Sequence, residues 1–201
     1  MGKNFEVDRA LKLIAKLSID KSSQVFSKTI RAGAKIVLED VYMTDISEAS
    51  ITVNQNQDEE VVGAFIDLIG EAPFKFLFFV KKDDSLALTD LMLQREIGTT
   101  KEFDVYAQSA VQEIGNILAS AISNVFAADF QITMKPSPPV VVRDFAGTVF
   151  SEYLVSVGME RDEILIIESL FQVTTQDIQS RMFILPMPES EKILQYVSNS
   201  M

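Results

Sequence analysis

The chain has 201 residues, of which 47% are hydrophobic and 23% are charged, a balance typical of a folded globular protein rather than a disordered or fibrous one. Its formal net charge of −11 opposes binding to a nucleic-acid backbone or to an anionic membrane surface. The sequence contains no histidine and no cysteine, which excludes imidazole bases, thiolate nucleophiles, disulfides and metal sites built from these ligands. Any chemistry must therefore use carboxylates, amides, hydroxyls or amines.

The N-terminal residues 1–16 carry a charged side chain every few positions and lack the apolar core of a signal peptide. The segment with the fewest charges, residues 105–128, still contains glutamine, asparagine and glutamate side chains that disfavour a hydrocarbon environment. The sequence therefore predicts no membrane span, and we expect a cytoplasmic protein.

The first half of the chain begins with a helical pattern and continues with strand patterns. Residues 5–30 place apolar side chains at helical spacing and lysines on the opposite side, which predicts an amphipathic helix that stops near Gly33. Alternating or continuous apolar patterns predict strands at residues 35–43, 50–55, 61–69 and 74–81. The acidic start at Asp83 then predicts a short helix through residue 93.

The same order of elements begins again after a connector at residues 94–101. A long helix is predicted at residues 102–127, and further strand and helix patterns come after it. These patterns predict strands at residues 130–134, 140–143, 163–173 and 180–185, and helices at residues 144–156 and 189–197.

Both halves end on one plan, in which an apolar strand is followed by a polar or proline-bearing turn and a short amphipathic helix. A tandem arrangement of this kind usually gives two pseudo-equivalent halves that share one sheet. We therefore predict an α+β, two-layer fold in a single domain, residues 1–201, with pseudo-repeats at about residues 1–95 and 100–201. Its two long helices should pack on a shared, mainly antiparallel sheet.

The second long helix has two distinct faces. At about 100° per residue, its apolar side chains cluster on one side, which we assign to the core. The core-facing residues are Phe103, Ala107, Ala110, Ile114, Ile117, Leu118, Ala121 and Val125. A second set, Ser109, Glu113, Asn116 and Ser120, falls well round the helix from them, and we name this set the polar stripe. Glu113 is the only charged residue between positions 105 and 128.

The polar stripe has two interpretations. Small uncharged residues give a surface with little relief, which another protein could approach closely. One carboxylate and one carboxamide project from it. Alternatively, the stripe is a helix flank that packs beneath another element of the same chain. The pattern alone leaves both interpretations open.

At these residues the sequence resembles a known family. Ser109-x3-Glu113-x2-Asn116, followed after twenty-two residues by Pro139, resembles the (Asp/Ser)-x3-Glu-x2-Asn-x22-Pro signature of the CheC/CheX/FliY phosphatases of bacterial and archaeal chemotaxis. The length, the duplicated layout and the closing strand, proline and helix extend the resemblance over nearly the whole chain and are most similar to CheC-type proteins.

The first half departs from the family pattern, because CheC-type proteins often carry the Glu-x2-Asn pair in both halves. Two alignments of the first helix with the second are open, and neither supplies the pair. Aligning residues 25–26 with 125–126 gives one set of residues at the motif positions, and aligning residues 5–7 with 103–105 gives another. The residues are Leu13, Lys16 and Glu39 in the first alignment, and Ala15, Ser18 and Val41 in the second.

The resemblance implies hydrolysis of the aspartyl phosphate of a CheY-like response regulator, and the residue types suit this reaction. A loose phosphoryl-transfer transition state needs a positioned water and charge compensation more than a strong base. The carboxamide of Asn116 can accept a hydrogen bond from the water through Oδ1 and donate one toward a phosphoryl oxygen through Nδ2. An aspartate at this position would place negative charge against the phosphoryl oxygens.

The other motif residues have supporting roles in this interpretation. Glu113 lies one helical turn from Asn116 and is suited to pair with a lysine in the regulator's active site, which would fix the orientation of the complex. Ser109 either hydrogen-bonds Glu113 or the partner, or belongs to the plain helix surface. Pro139 is expected to shape the loop beneath the helix rather than to touch substrate.

The chain itself is expected to bind no cofactor and no metal, and Mg²⁺ is expected on the partner regulator. None of the acidic groups has the spacing of a calcium-binding loop, and the glycines form no nucleotide-binding motif. A second hypothesis stays open, in which the chain is a non-catalytic adaptor that binds a response regulator or a CheD-type deamidase.

Overall fold

The computed structural model describes residues 3–30, 33–46, 48–49, 58–158, 163–190 and 193–194. Within these ranges seven strands form one sheet, on which the helices pack. In chain order the elements are α1 (Lys3–Ile30), β1 (Ala34–Asp45), β2 (Glu60–Gly70), β3 (Phe74–Lys81), α2 (Lys82–Met92), α3 (Val105–Phe130), β4 (Met134–Pro136), β5 (Val140–Phe145), α4 (Ala146–Gly158), β6 (Glu163–Val173) and β7 (Ile178–Pro186). No described helix is long and apolar enough to cross a membrane.

The sheet confirms the predicted α+β class with a shared antiparallel sheet. The strand order is β1-β6-β7-β3-β2-β4, with β5 also paired to β2, and each of these pairings is antiparallel. Side chains alternate between the two faces, so neighbouring residues of one strand enter different clusters. Phe76 and Phe78 join the core under α1 and α3, whereas Leu77 packs with Phe150 and Tyr153 of α4 on the opposite face.

Two sequence predictions fall partly or wholly outside the described residues. The predicted strand at residues 50–55 lies outside them. The predicted closing helix at residues 189–197 has helical residues at 188–190 and 193–194, and its remaining positions are not described.

The bounds of α3 differ from the prediction at both ends. The helix begins at Val105 because the carboxylate of Asp104 accepts hydrogen bonds from the backbone N–H groups of Tyr106 and Ala107, both at 3.0 Å. It continues through Phe130, which the sequence placed in a strand. The ring of Phe130 packs at 5.4 Å from that of Phe126, one turn earlier, and this contact favours the helical conformation.

The next two elements also differ in their bounds. β5 extends through Phe145, because Asp144 and Phe145 continue the pairing with β2 opposite Val61 and Glu60. The predicted helix at residues 144–156 was therefore placed two residues too early, and α4 occupies Ala146–Gly158.

Each strand on one side of the sheet has a counterpart at the same place on the other side, which makes the two halves pseudo-symmetric. β1, β6 and β7 of one side correspond to the β4–β5 pair, β2 and β3 of the other. α1 and α3 lie at equivalent places, since each of these long helices immediately precedes the outer strand of its side. The boundaries of the two repeats along the chain stay a prediction.

The pairing registers fix how the halves correspond. Asp45 lies opposite the first residue of β6, and Phe145 lies opposite the first residue of β2, so equivalent positions differ by one hundred residues. The same spacing relates the ends of the helices, Ile30 and Phe130, and the starts of the strands after them, Ala34 and Met134. This spacing selects the alignment that places Leu13, Lys16 and Glu39 at the motif positions of the first half.

Asp90 joins the halves through the connector between α2 and α3. Its buried carboxylate accepts hydrogen bonds from the backbone N–H groups of residues 98–100, at 2.8 to 3.0 Å, and from the hydroxyl of Thr100 at 2.6 Å. Burial alone raises the pKa of Asp90, but the bonds from Thr100 and from the backbone outweigh burial and hold the pKa below its usual value. The connector is therefore fixed to α2 just before α3 begins.

Candidate functional site

The polar stripe of α3 faces outward. Ser109 and Glu113 are exposed, and Asn116 and Ser120 are half-buried, while the opposite side of the helix enters the core. The interpretation in which the stripe packs beneath another element therefore does not hold for Ser109 and Glu113 within the described part of the chain.

Gly115, between Glu113 and Asn116, allows α3 to lie close to the sheet. A Cβ at this position would lie 3.1 Å from Cβ of Ala64 and 3.1 Å from Cδ1 of Ile66, both on β2. Those distances are tighter than ordinary van der Waals contacts, so a side chain here would require the helix or the β2 side chains to shift by a few tenths of an ångström. The absence of a side chain at Gly115 thus allows the Glu113–Asn116 turn to lie this close to the sheet.

Gln112 ties the same turn of the helix to the segment that carries Pro139. Its Nε2 donates a hydrogen bond of 2.9 Å to the carbonyl oxygen of Pro139. The segment is held from the other side as well, because Ser137 N–H donates to the carbonyl oxygen of Asp67 at 2.8 Å and Ser137 Oγ accepts from Asp67 N–H at 3.0 Å. Pro139 therefore lies beside α3 as part of a loop that is held from two sides.

The two polar groups of the stripe are available to a partner. Among the described residues, the side chains of Glu113 and Asn116 engage in no hydrogen bond or ion pair, and one helical turn brings their Cβ atoms within about 6 Å. Ser109 Oγ donates to the carbonyl oxygen of Val105 at 2.8 Å, so its hydroxyl proton is directed at the helix backbone and not at Glu113. A carboxylate and a carboxamide thus lie side by side, with no partner in the part of the chain that the structure describes.

Exposed apolar side chains accompany this polar pair. Val105 is 70% exposed and Tyr106 is 58% exposed, and both lie at the start of α3, two turns before Glu113. Val140, which comes directly after Pro139, is 62% exposed. Apolar groups around a few polar ones are typical of a surface that binds another protein.

The described carboxylates do not assemble a metal centre. Among the residues that the structure describes, no three aspartate or glutamate side chains group closely enough to hold a metal ion.

A match to a protein family covers this surface. Residues 107–143 match the model of the CheC-like family, and this segment contains Ser109, Glu113, Asn116 and Pro139. This segment of the chain is therefore similar to the CheC-like family. The matched segment begins in the first turn of α3 and ends in β5, so it covers the elements that form the candidate site.

Individual proteins are similar to the chain over larger parts of its length. The chain is 31% identical over 101 residues to the CheY-P phosphatase CheC of Bacillus subtilis (strain 168), a match that spans about half of each protein, 46% of this chain and 48% of the relative. Its fold is similar to that of Thermotoga maritima FliY, with a TM-score of 0.77 at 14% identity over 100% of this chain and 99% of that one. The FliM middle domain from H. pylori aligns with a TM-score of 0.65 at 12% identity over the full length of both chains.

Two residues that hold the site were not found from the sequence. The bond from Gln112 to Pro139 depends on a loop path that the sequence does not reveal. Gly115 carried a usable signal, because glycine inside a helix costs about 1 kcal/mol relative to alanine and usually has a packing reason. The functional roles of Glu113, Asn116, Ser109 and Pro139 stay predictions.

Proposed function

We propose that the chain hydrolyses the aspartyl phosphate of a CheY-like response regulator in chemotaxis signalling. One observation carries the proposal: Glu113 and Asn116 lie side by side on an outward-facing helical turn with no internal partner among the described residues, in a segment that matches the CheC-like family. Because Glu113 is exposed and Asn116 is half-buried, both side chains can reach another molecule.

Asn116 is the group that we assign to the reaction. Its carboxamide can accept a hydrogen bond from a water molecule and donate one to a phosphoryl oxygen, which orients the water for in-line attack. Because the acyl phosphate is intrinsically labile, positioning supplies most of what catalysis requires. The half-buried position of Asn116 restricts the side chain, and the close packing at Gly115 fixes the backbone beneath it. The bond that breaks joins phosphorus to the aspartyl oxygen, and the products are inorganic phosphate and the free carboxylate.

Glu113 is the docking group in this proposal. It is exposed and is the only charge on its segment of α3, so an approaching partner with an active-site lysine meets a single carboxylate. The exposed Val105, Tyr106 and Val140 supply apolar contact area around that ion pair. The Mg²⁺ of the reaction belongs to the partner's pocket, and we place the complex in the cytoplasm.

The alternative function is a non-catalytic adaptor that binds a response regulator or a CheD-type deamidase. The loss of the Glu-x2-Asn pair from α1 favours it, since a chain that has lost one site could lose catalysis and keep binding. The FliY-like and FliM-like fold does not decide between the two functions, because one fold supports many activities.

The lifetime of a phosphorylated CheY-like regulator, measured with and without the chain, separates these functions. Catalysis predicts that a small amount of chain shortens the lifetime on the order of tenfold or more and turns over repeatedly. An adaptor predicts that the chain binds the regulator in a pull-down or titration and leaves the lifetime unchanged. That second result would overturn the proposed hydrolysis.

A further inference from the structure

A cleft lies on the N-terminal half, between α1 and β1. Its volume is about 410 Å³, and its lining includes Lys12, Leu13 and Lys16 from α1 and Glu39 and Asp40 from β1. The cleft is bounded on the strand side by an irregularity, because the pairing of β1 with β6 skips from Leu38 to Asp40. Glu39 is the extra residue of this β-bulge.

The cleft occupies the place that the candidate site occupies in the other half. With equivalent positions one hundred residues apart, Leu13 corresponds to Glu113 and Lys16 to Asn116. Glu39 corresponds to Pro139, and the bulge that contains it corresponds to the break between β4 and β5. A partner that docks on α3 beside the β4–β5 break therefore finds a surface at the equivalent place on α1, beside the bulge.

The charges of this cleft differ from those of the candidate site. α1 has six basic and three acidic residues, a net +3, in a chain whose net charge is −11. Asp40 is already paired, because its Oδ1 lies 3.4 Å from Nζ of Lys12. Lys16 makes no hydrogen bond or ion pair with any described residue, and it is exposed. The cleft thus offers one available ammonium group and, across from it, the exposed carboxylate of Glu39.

We propose that this cleft is a second, non-hydrolytic docking site for the phosphorylated partner, an inference that rests on the proposed function. The ammonium group of Lys16 holds the phosphoryl group through charge-assisted hydrogen bonds. Lysine has three donors and no acceptor, so Lys16 cannot orient a water molecule for attack in the way that the Asn116 carboxamide can. The phosphoryl group is bound there and is not consumed.

Glu39 supplies the carboxylate that can pair with a lysine of the partner. Leu13, which is 47% exposed, replaces the docking carboxylate of Glu113 with an apolar side chain. Glu39 on β1 supplies a carboxylate to the same surface, at the position equivalent to Pro139 in the other half. A partner with an anionic phosphoryl group beside a lysine therefore meets an ammonium and a carboxylate in this cleft, although the two groups come from different elements.

A titration of the double variant Glu113→Ala, Asn116→Ala tests this inference without interference from hydrolysis. The probe is a purified CheY-like regulator with Mg²⁺ and beryllofluoride in place of the phosphoryl group. We expect the wild-type chain to bind two equivalents of the probe, and this variant to bind one equivalent with unchanged affinity and the second about tenfold or more weakly. Adding Lys16→Ala should weaken the remaining binding by about tenfold or more and reduce its salt dependence. Lys28→Ala, an exposed lysine elsewhere on α1, should leave it unchanged.

The outcomes of this titration distinguish the second docking site from the proposed function. No binding to the double variant, or binding that Lys16→Ala leaves unchanged, overturns the second docking site, whether or not the wild-type chain hydrolyses the regulator. Binding of one equivalent that depends on Lys16 supports the docking site even where hydrolysis by the wild-type chain is not found. Equal binding of the probe and of the unphosphorylated regulator would show that Lys16 does not hold the phosphoryl group and would also overturn it.

Discussion

The two long helices occupy equivalent places on the sheet but carry opposite charges. α3 contains two acidic residues and no basic one, whereas α1 has a net charge of +3. The pairing registers place Asn116 and Lys16 at corresponding positions, so the same scaffold presents a group that can orient water on one side and a group that can only donate hydrogen bonds on the other. The fold therefore fixes where each of these two surfaces lies, while single side chains determine the chemistry that each surface can offer.

The largest expected effect comes from removing the polar pair of the C-terminal half. The double change Glu113→Ala, Asn116→Ala should abolish all phosphatase activity, because α1 supplies neither a docking glutamate nor a carboxamide at the equivalent positions. A phosphate-release assay checks this, with the double change Asp20→Ala, Lys28→Ala on exposed α1 positions as the matched control. Residual activity near half of the wild-type value would show that the N-terminal half also catalyses hydrolysis.

A smaller but still large effect is expected at Asp90, which joins the halves. Asp90→Ala leaves the N–H groups of residues 98–100 without their charged acceptor and should lower the free energy of unfolding by about 3 kcal/mol, measured by urea denaturation. Asp90→Asn keeps one acceptor and should cost less. Equal losses in the two variants would contradict the role of the carboxylate as an acceptor.

The same carboxylate gives the stability a pH dependence. Because the pKa of Asp90 is lower in the folded chain than in the unfolded chain, its contribution is present above about pH 4 and is lost as the pH falls through the folded pKa. Asp90→Asn should remove that part of the acid dependence. An unchanged dependence below about pH 4 in this variant would assign the acid sensitivity to other carboxylates.

Glu113→Gln measures how much the single charge on this segment of α3 contributes to binding the regulator. The change keeps the size and hydrogen-bonding capacity of the side chain but removes the only charge of its helix segment, so the affinity for the phosphorylated regulator should fall about tenfold. The salt dependence of binding should fall as well. Titrations at two ionic strengths check both effects, with the exposed Glu102→Gln as control. Equal affinities at low salt would mean that Glu113 is not paired across the interface.

The smallest effect is expected at the start of α3. Asp104→Ala removes the acceptor for the N–H groups of Tyr106 and Ala107 and should lower the free energy of unfolding by about 1 kcal/mol. Asp104→Ser can still cap the helix and should retain most of the stability. Thermal or urea denaturation checks this series. Identical stability of the alanine and serine variants would contradict the capping role.

Much of the fold could be predicted from apolar patterning, because each long helix and each core strand carries an apolar face of its own. The errors lie where tertiary contacts override local patterns, as at Phe130, whose ring packs on Phe126, and at Phe145, which continues the pairing with β2. The alignment of the two halves stayed open in the sequence, because weak similarity between α1 and α3 allowed two solutions. The strand pairings, which the sequence does not encode locally, decide between them.

The candidate site could be predicted only in part. Spacing along α3 was sufficient to place Glu113 and Asn116 on one outward face, since helical periodicity is a local property. The bond from Gln112 to Pro139 and the close approach at Gly115 depend on how a distant loop and strand meet the helix. The cleft beside Lys16 likewise depends on the bulge at Glu39, which no local pattern indicates.

The central claim, that hydrolysis depends on Asn116, is tested most directly by the decay rate of a phosphorylated regulator saturated with Asn116→Ala chain. Asn124→Ala is the matched control, because Asn124 is an exposed asparagine on the same helix. We predict that Asn116→Ala lowers the rate on the order of 10²-fold or more with affinity nearly intact, and that the Asn124→Ala complex decays like the wild-type complex. A folded Asn116→Ala chain with an unchanged decay rate would contradict the claim.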